Sequence, residues 1–395
     1  MAWKEQKSLL NKIMKIKTIL TLILMTMPIT VYGNFLKLNT PAKQVILYDH
    51  ELKKVLFEKN SNDLMKPASM AKIMTAYIVF DRLQEGSLNL EDKFVVSNNA
   101  WKKGGSRTFL KLNSEVTISD LLMGLIVQSG NDAAIALAEG IAGSEEDFAI
   151  QMNQYAKSLE MKNTHFTNST GWPHEDLKTT AYDLIILSDA LINNFPKLYK
   201  LFVEKEFTFN NIRQPNRNPL LIGRYKVLGA DGLKTGHTNE SGYGLIGSVV
   251  RKNRRITLVI NGLNSMRQRG KESKRLIELA FRETYLLNVF QDDNVLTTAN
   301  VWLGDKSKIN LMAEKPLKIL VNRSSLRMIK TTVLWNDPVK APIKIGQKIG
   351  VINIKIPGKD TLKLNLVSKD TVSGLGPIDK MKSAINYLIF GGDLN

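Results

Sequence analysis

The 395-residue chain contains no cysteine, so neither a disulfide framework nor thiol chemistry is available to it. That absence is compatible with any compartment. It has only four histidines. His165 and His174 lie in loop-like stretches without partners at ligand spacing, and no His-Glu-x-x-His array occurs, so neither a zinc hydrolase nor any metal or cofactor site is expected. Acidic residues are in deficit, 37 against 55 basic ones, for a net charge of +18. Such a balance first suggests nucleic acid or an anionic surface. The charge is spread along the chain and no RNA- or DNA-binding motif carries it, so no nucleic-acid partner is expected. No internal repeat or low-complexity segment stands out.

Three short motifs stand out instead: Ser69-Met-Ala-Lys72, Ser129-Gly-Asn131 and Lys234-Thr-Gly236. Pro67-Ala-Ser69 precedes the apolar run Met70 to Phe80, which reads as a buried helix with ordinary start signals. Residues three apart share a helix face, so the Lys72 amine can hang over the Ser69 hydroxyl. Free N–H groups and a partial positive charge at the helix start would favour an oxyanion there. A serine hydroxyl is a poor nucleophile without help, and Lys72 can act as its base only if burial or a nearby cation favours the neutral amine. Taken alone, the pair reads as a capping serine and a surface lysine.

Ser129-Gly-Asn131 sits between the helical runs Ser119–Val127 and Asp132–Glu139, where the bland reading is a turn with an N-capping asparagine. Lys234-Thr-Gly236 precedes Gly244–Val250 and Arg255–Ile260, which read as an antiparallel strand pair. Gly236 on a strand leaves room for a substrate backbone. A lysine on an edge strand is otherwise a common guard against aggregation. The order and context of all three motifs favour the catalytic reading over the three bland ones.

The chain resembles the low-molecular-mass D-alanyl-D-alanine carboxypeptidases, the penicillin-binding protein 5 group. Matching stretches are Lys66–Ser69, Leu125–Asp132, Lys162–Phe166, Lys205–Asn210, Ile212–Arg217 and Asp231–Thr238. The resemblance runs from about Val45 to the C-terminal helix. It implies that Ser69 is the acylated nucleophile, Lys72 its general base and Ser129 a proton relay. It also implies that Asn131 holds a peptide amide and that Lys234 and Thr235 polarise the site. With Thr235 and Gly236 lining the strand, Arg217 would help hold the substrate's terminal carboxylate. The backbone N–H groups of Ser69 and His237 would form the oxyanion hole. The implied activity is removal of the terminal D-alanine from peptidoglycan stem pentapeptides, with β-lactam antibiotics as covalent inhibitors. Two alternatives remain at this point: a β-lactamase, or a penicillin-binding scaffold with weak turnover. The first needs a deacylating carboxylate in a Glu-x-x-Leu-Asn loop. Its nearest match, Glu175-Asp-Leu-Lys178, lacks the asparagine.

Domain organisation follows from texture. Residues 1–33 carry five lysines, then the apolar stretch Thr18–Ile29, and fit a secretory signal peptide cut near Gly33. About a dozen apolar residues is short of the roughly 20 a spanning helix needs. Residues 34–290 mix strands and helices. They open on a hairpin, Val45–Tyr48 with Val55–Phe57, and close on a helix, Glu272–Leu287. That order predicts an α+β catalytic domain, helices on an antiparallel sheet, of the β-lactamase and transpeptidase kind. Residues 291–372 alternate at period two in Pro316–Val321, Gly350–Ile356 and Thr361–Val367, predicting a small β-sandwich-like domain. In 373–395, Ile378, Met381, Ile385 and Leu388 recur at helical spacing, which predicts a short amphipathic helix. Periodicity alone allows it to lie on a membrane or to pack against the β domain. The resemblance favours a membrane anchor, placing an exported enzyme on the periplasmic face of the cytoplasmic membrane. Anionic lipid and anionic cell-wall polymer would then account for the basic balance.

Overall fold

The structure is a computed structural model that describes residues 35–390; the expected signal peptide, 1–33, lies outside them. The chain opens on β1 (Gln44–Asp49) and β2 (Lys54–Lys59), the hairpin expected there. A 3-10 turn, Ala68–Ala71, leads into α1 (Lys72–Glu85). Then come β3 (Lys93–Val95), α2 (Asn98–Lys102), β4 (Glu115–Thr117), α3 (Ile118–Met123) and a π-helical turn, Gly124–Gln128. The helices α4 (Asn131–Ala142), α5 (Glu145–Ser158) and α6 (Ala181–Asn194) follow. A small hairpin, β5 (Glu206–Phe209) with β6 (Ile212–Pro215), precedes three long strands. These are β7 (Ala230–Thr238), β8 (Gly242–Arg251) and β9 (Arg254–Leu263), and α7 (Met266–Glu283) comes after them.

The main sheet is antiparallel, ordered β2-β1-β9-β8-β7. Strand β9 packs against both α6 and α7. It is therefore buried along nearly its whole length and reads as a continuous apolar run rather than an alternating one. Strand β7 lies at the edge, its outer side unpaired within the sheet. Helix α1 is buried from Lys72 to Phe80 because α4, α5, α6 and β7 all pack against it. It forms the axis of the catalytic domain, and Gly86 at φ 78° ends it. Local signals set the other helix starts: the hydroxyls of Ser144, Thr180 and Ser265 cap α5, α6 and α7.

The last helix differs from expectation. It runs Met266–Glu283 instead of Glu272–Leu287. The expected final turn is extended, because Thr284–Phe290 forms β10 and pairs with Leu317–Asn322. An apolar stretch rich in Thr, Tyr and Val satisfies either period locally, and the pairing partner decides. The β domain continues through β11 (Val295–Trp302), β12 (Lys308–Ala313), β13 (Leu317–Asn322) and β14 (Lys330–Trp335). It ends with β15 (Val339–Lys340), β16 (Lys348–Lys355) and β17 (Leu362–Ser368). A two-stranded sheet, β10-β13, and a six-stranded one, β14-β16-β17-β12-β11-β15, share one core around Val321, Leu311, Ile352 and Leu366. The expected α+β catalytic fold followed by an all-β domain is thus what forms. Helix α8 (Pro377–Phe390) ends the described chain.

One buried cation ties the main sheet to the first strand of the β domain. Arg254 Nε donates to Asp49 Oδ2 at 2.7 Å, while its terminal nitrogens donate to the Thr284 carbonyl at 2.9 Å and Oγ1 at 2.7 Å. Asp49→Ala removes the only carboxylate bonded to this guanidinium among the described residues. Stranding a buried charge costs about 3–5 kcal/mol. Urea denaturation is expected to show a loss of that size; a change below about 1 kcal/mol, the worth of a surface pair, would contradict the clamp.

Candidate active site

Three segments converge on one amine. Lys72 is the first residue of α1 and Ser69 lies in the turn before it, so Lys72 Nζ stands 3.1 Å from Ser69 Oγ. The same nitrogen is 2.7 Å from Asn131 Oδ1, at the start of α4, and 2.8 Å from the carbonyl of Thr170. A second serine–lysine pair faces the first. Lys234, on β7, donates to Ser129 Oγ at 2.7 Å and to the Thr235 carbonyl at 3.3 Å. Both lysines are buried, Lys72 to 1% exposure and Lys234 to 3%.

The backbone around the two serines is held in left-handed geometry. Ser129 has φ 61°, after the π-helical turn, and Ala68, just before Ser69, has φ 47°. Such conformations cost about 1–3 kcal/mol each and persist only where neighbours over-determine them. Asp132 is one such neighbour. Its carboxylate accepts the backbone N–H groups of Thr108 at 2.8 Å, Phe109 at 2.9 Å, Leu110 at 3.2 Å and Ala133 at 2.9 Å. That pins the 104–110 loop to the start of α4. Asn131 reinforces it by donating Nδ2–H to the Gly104 carbonyl at 2.7 Å. Both ends of the Asn131 amide are thus engaged by the chain itself.

On the opposite wall, Glu145 accepts from Ser169 N at 3.0 Å and Oγ at 2.6 Å, and Thr75 Oγ1 donates to the Ser169 carbonyl at 2.7 Å. These bonds present the Thr170 carbonyl to Lys72. Gly171 follows at φ 75°, and a Cβ there would lie 1.9 Å from the Ala68 carbonyl oxygen. Only glycine lets the two turns meet. At Gly236 the chain itself comes close: a Cβ would lie 2.8 Å from the Pro67 carbonyl oxygen and 3.1 Å from Met70. Thr235 is buried beside Lys234. His237 is exposed at the strand's end, its ring centroid 3.8 Å from that of Tyr243. Arg217 is exposed across the cleft and donates to Ser106 Oγ at 2.5 Å.

Burial is the main electrostatic force here. Burial first, and then the Arg217 charge, bring the Lys72 amine from its usual 10.5 down to about 7, while Asp132 and Glu145 act the other way. Lys234 is held well below its ordinary value by burial first, then by Lys72, Arg217 and Arg269. Arg269 was not foreseen from sequence. It is buried on α7, close to the Tyr243 ring, with no partner for its Nε among the described residues. Burial lowers it to about 10. Nothing local marks it out, because Arg267, Lys271 and Lys274 surround it on the same helix. The Thr170 carbonyl was also unforeseen, since a main-chain ligand leaves no signature in residue type.

A buried amine near its neutral form, within hydrogen-bond reach of a serine hydroxyl, can take that proton; a second serine–lysine pair stands ready on the other side. These features define a serine-type acyl-transfer hydrolase. The chain belongs to the D-alanyl-D-alanine carboxypeptidase family, which matches residues 35–265, and the penicillin-binding protein 5 C-terminal domain matches residues 286–373. It is 39% identical to D-alanyl-D-alanine carboxypeptidase DacC of Escherichia coli K12 over 341 residues, 85% of each chain. The crystal structure of penicillin binding protein 5 from Haemophilus influenzae is 33% identical, with a TM-score of 0.67 over 86% of this chain and 99% of that one. Penicillin-Binding Protein D2 from Listeria monocytogenes, in its ampicillin-bound form, is 27% identical, with a TM-score of 0.57 over 62% of this chain and 99% of that one. The reaction is that of a serine-type D-alanyl-D-alanine carboxypeptidase, and neither the β-lactamase nor the scaffold alternative is favoured.

Proposed function

We propose that Ser69 is the nucleophile, with Lys72 as its base, in removing the terminal D-alanine from peptidoglycan stem pentapeptides. The observation that carries this is the set of three oxygens around Lys72 Nζ. A neutral amine has two N–H donors and one lone pair. Asn131 Oδ1 and the Thr170 carbonyl can only accept, so they take the two hydrogens. The lone pair is left for the Ser69 hydroxyl, which donates to it.

Ser69 Oγ then attacks the carbonyl of the penultimate D-alanine as its proton passes to Lys72. The backbone N–H groups of Ser69 and His237 receive the oxyanion. Breaking the C–N bond requires a proton on the leaving amine, and Ser129, held by Lys234, relays it. Thr235 and Arg217 meet the terminal carboxylate, and Arg269 adds buried positive charge behind them. Gly236 keeps the strand close to the nucleophile turn, and Asn131 steadies the substrate amide at the same time as it orients Lys72. Water enters after D-alanine leaves and frees Ser69. A β-lactam ring offers the same attack and leaves its acyl group on the serine. Ser69→Ala is small enough to leave the fold intact and should abolish both D-alanine release and the mass adduct with benzylpenicillin. An adduct that survives in this variant would move the nucleophile elsewhere.

The same proposal places the enzyme outside the cytoplasm, exported by residues 1–33 and held on the periplasmic face of the cytoplasmic membrane by α8. Ile378, Met381, Ile385 and Ile389 are all exposed on α8, which supports a surface-lying helix over one packed on the β domain. The side chains of Leu388 and Phe390 lie outside those described. No helix among the described residues is long and apolar enough to cross a membrane. Each aliphatic side chain buried in lipid contributes roughly 1.5–3 kcal/mol, and Lys380 and Lys382 add about 1 kcal/mol each near anionic headgroups. Protein lacking residues 1–33 should float with anionic vesicles, and protein also truncated after Val372 should not. Equal behaviour of the two would remove the helix from membrane binding.

A further inference from the structure

Trp172 follows the Ser169–Gly171 turn, and it is 42% exposed despite its size. Its backbone is fixed all the same. Asn168 Oδ1 accepts the Trp172 N–H at 2.9 Å, and Asn168 Nδ2 donates to the Trp172 carbonyl at 3.0 Å. The Thr170 N–H, at 3.2 Å, and the Thr170 hydroxyl, at 2.8 Å, donate to the same Asn168 oxygen. One asparagine therefore sets both the residue whose carbonyl reaches Lys72 and the ring two positions further on.

That ring reaches the 103–105 segment on the other wall of the site. Lys103 Nζ lies 4.8 Å from the ring centroid, within cation–π range. Gly105 has φ 81°, and a Cβ there would lie 3.1 Å from Trp172 Cζ3 and 2.8 Å from Asn131 Nδ2. A Cβ at Gly104 would lie 3.9 Å from Trp172 Cη2. The ring edge thus packs on the stretch of backbone whose Gly104 carbonyl takes the Asn131 amide hydrogen at 2.7 Å. Trp172 consequently joins the two segments that supply or orient two of the three oxygens around Lys72 Nζ, the Thr170 carbonyl and Asn131 Oδ1. The charged groups acting on the two lysines of the site are Asp132 and Glu145, both committed to other donors, and the cations Arg217, Lys103 and Arg269. Of these cations, Lys103 is the one that the Trp172 ring holds.

We propose that Trp172 is a positioning residue for the base: with Lys103 it latches the 168–172 turn to the 103–105 segment, steadies two of the oxygens at Lys72 Nζ and keeps water from the amine. It acts through Asn131 and the Thr170 carbonyl rather than on the reacting atoms. Opening the latch admits water, which solvates the ammonium, and frees the Lys103 charge to move away; both changes favour the protonated form. The loss then falls on the acid side, where the protonated amine cannot take the serine proton. At high pH the amine is free with or without the latch.

The proposal rests on Lys72 being the base for Ser69, so the test reads the two separately. The rate constant for benzylpenicillin acylation, and kcat/KM for D-alanine release from diacetyl-L-lysyl-D-Ala-D-Ala, are followed between about pH 5 and pH 10. Trp172→Ala, Trp172→Phe and Lys103→Met are compared with the unmodified enzyme, whose acylation should fall off below a limb near pH 7. In Trp172→Ala the limb should move up by about one pH unit, a loss of about tenfold below it, with the alkaline plateau kept. Trp172→Phe retains a ring beside Gly105 and Lys103 and should leave the limb in place, whereas Lys103→Met should move it up. A Trp172→Ala enzyme slowed by one factor at every pH, with its limb unmoved, overturns the latch and leaves Lys72 as the base. A raised KM for the peptide with penicillin acylation untouched makes the ring a substrate contact and also overturns the latch. If the unmodified enzyme shows no limb in the neutral range, the assignment of Lys72 fails, and the latch fails with it.

Discussion

Lys72 is buried among oxygens and pairs with no carboxylate among the described residues. Its three neighbours are a hydroxyl, an amide oxygen and a main-chain carbonyl. The nearest anions are already committed: Asp132 accepts four backbone N–H groups and Glu145 accepts from Ser169. Holding an ammonium in such a place is expensive, so the folded chain favours the free amine. Much of the surrounding architecture can be understood as what keeps water and counter-charge away from that nitrogen. Helix α1 is buried over its first nine residues. The 104–110 loop closes one side, and the Ser169–Gly171 turn closes the other.

The arrangement carries local costs that the core offsets. Ser129 and Ala68 hold left-handed backbone, and the helix before Ser129 widens into a π turn. Widening of this kind re-aims the chain at functional positions. Gly171 and Gly236 remove side chains where the turn before α1 touches its neighbours. The second lysine is bound by the same constraint, since two buried ammonium groups so close would repel. Arg217 and Arg269 add further positive charge around the two lysines, and each lowers the pKa of Lys234.

The parts of this site that are close in sequence were legible. Ser69 and Lys72 sit one helical turn apart, so their contact follows from helix geometry alone. The three motifs also predicted their settings well: a buried helix, a turn between helices, and a strand at a sheet edge. Contacts that depend on distant segments were not legible. Nothing in Asn168-Ser-Thr-Gly171 announces that a carbonyl there meets an amine 98 residues away. Arg269 looked like one basic residue among several on a polar helix. The Pro67 carbonyl that comes close to Gly236 was not legible either, because it belongs to a segment far away in sequence. The helix boundary near residue 284 failed for a related reason: Thr284–Phe290 is a strand because Leu317–Asn322 lies beside it. Short apolar segments with mixed periodicity are settled by tertiary partners.

The central claim is that folding lowers the ammonium–amine equilibrium of Lys72 into the neutral pH range, so that free amine is available there. The direct measurement is the ε-carbon chemical shift of lysine in the isotope-labelled enzyme, followed against pH, with the Lys72 signal assigned by its loss in a Lys72→Met variant. The account predicts a transition near pH 7, with ammonium below it and free amine above it. A Lys72 signal that stays in the ammonium position until pH approaches the ordinary 10.5 would contradict the account.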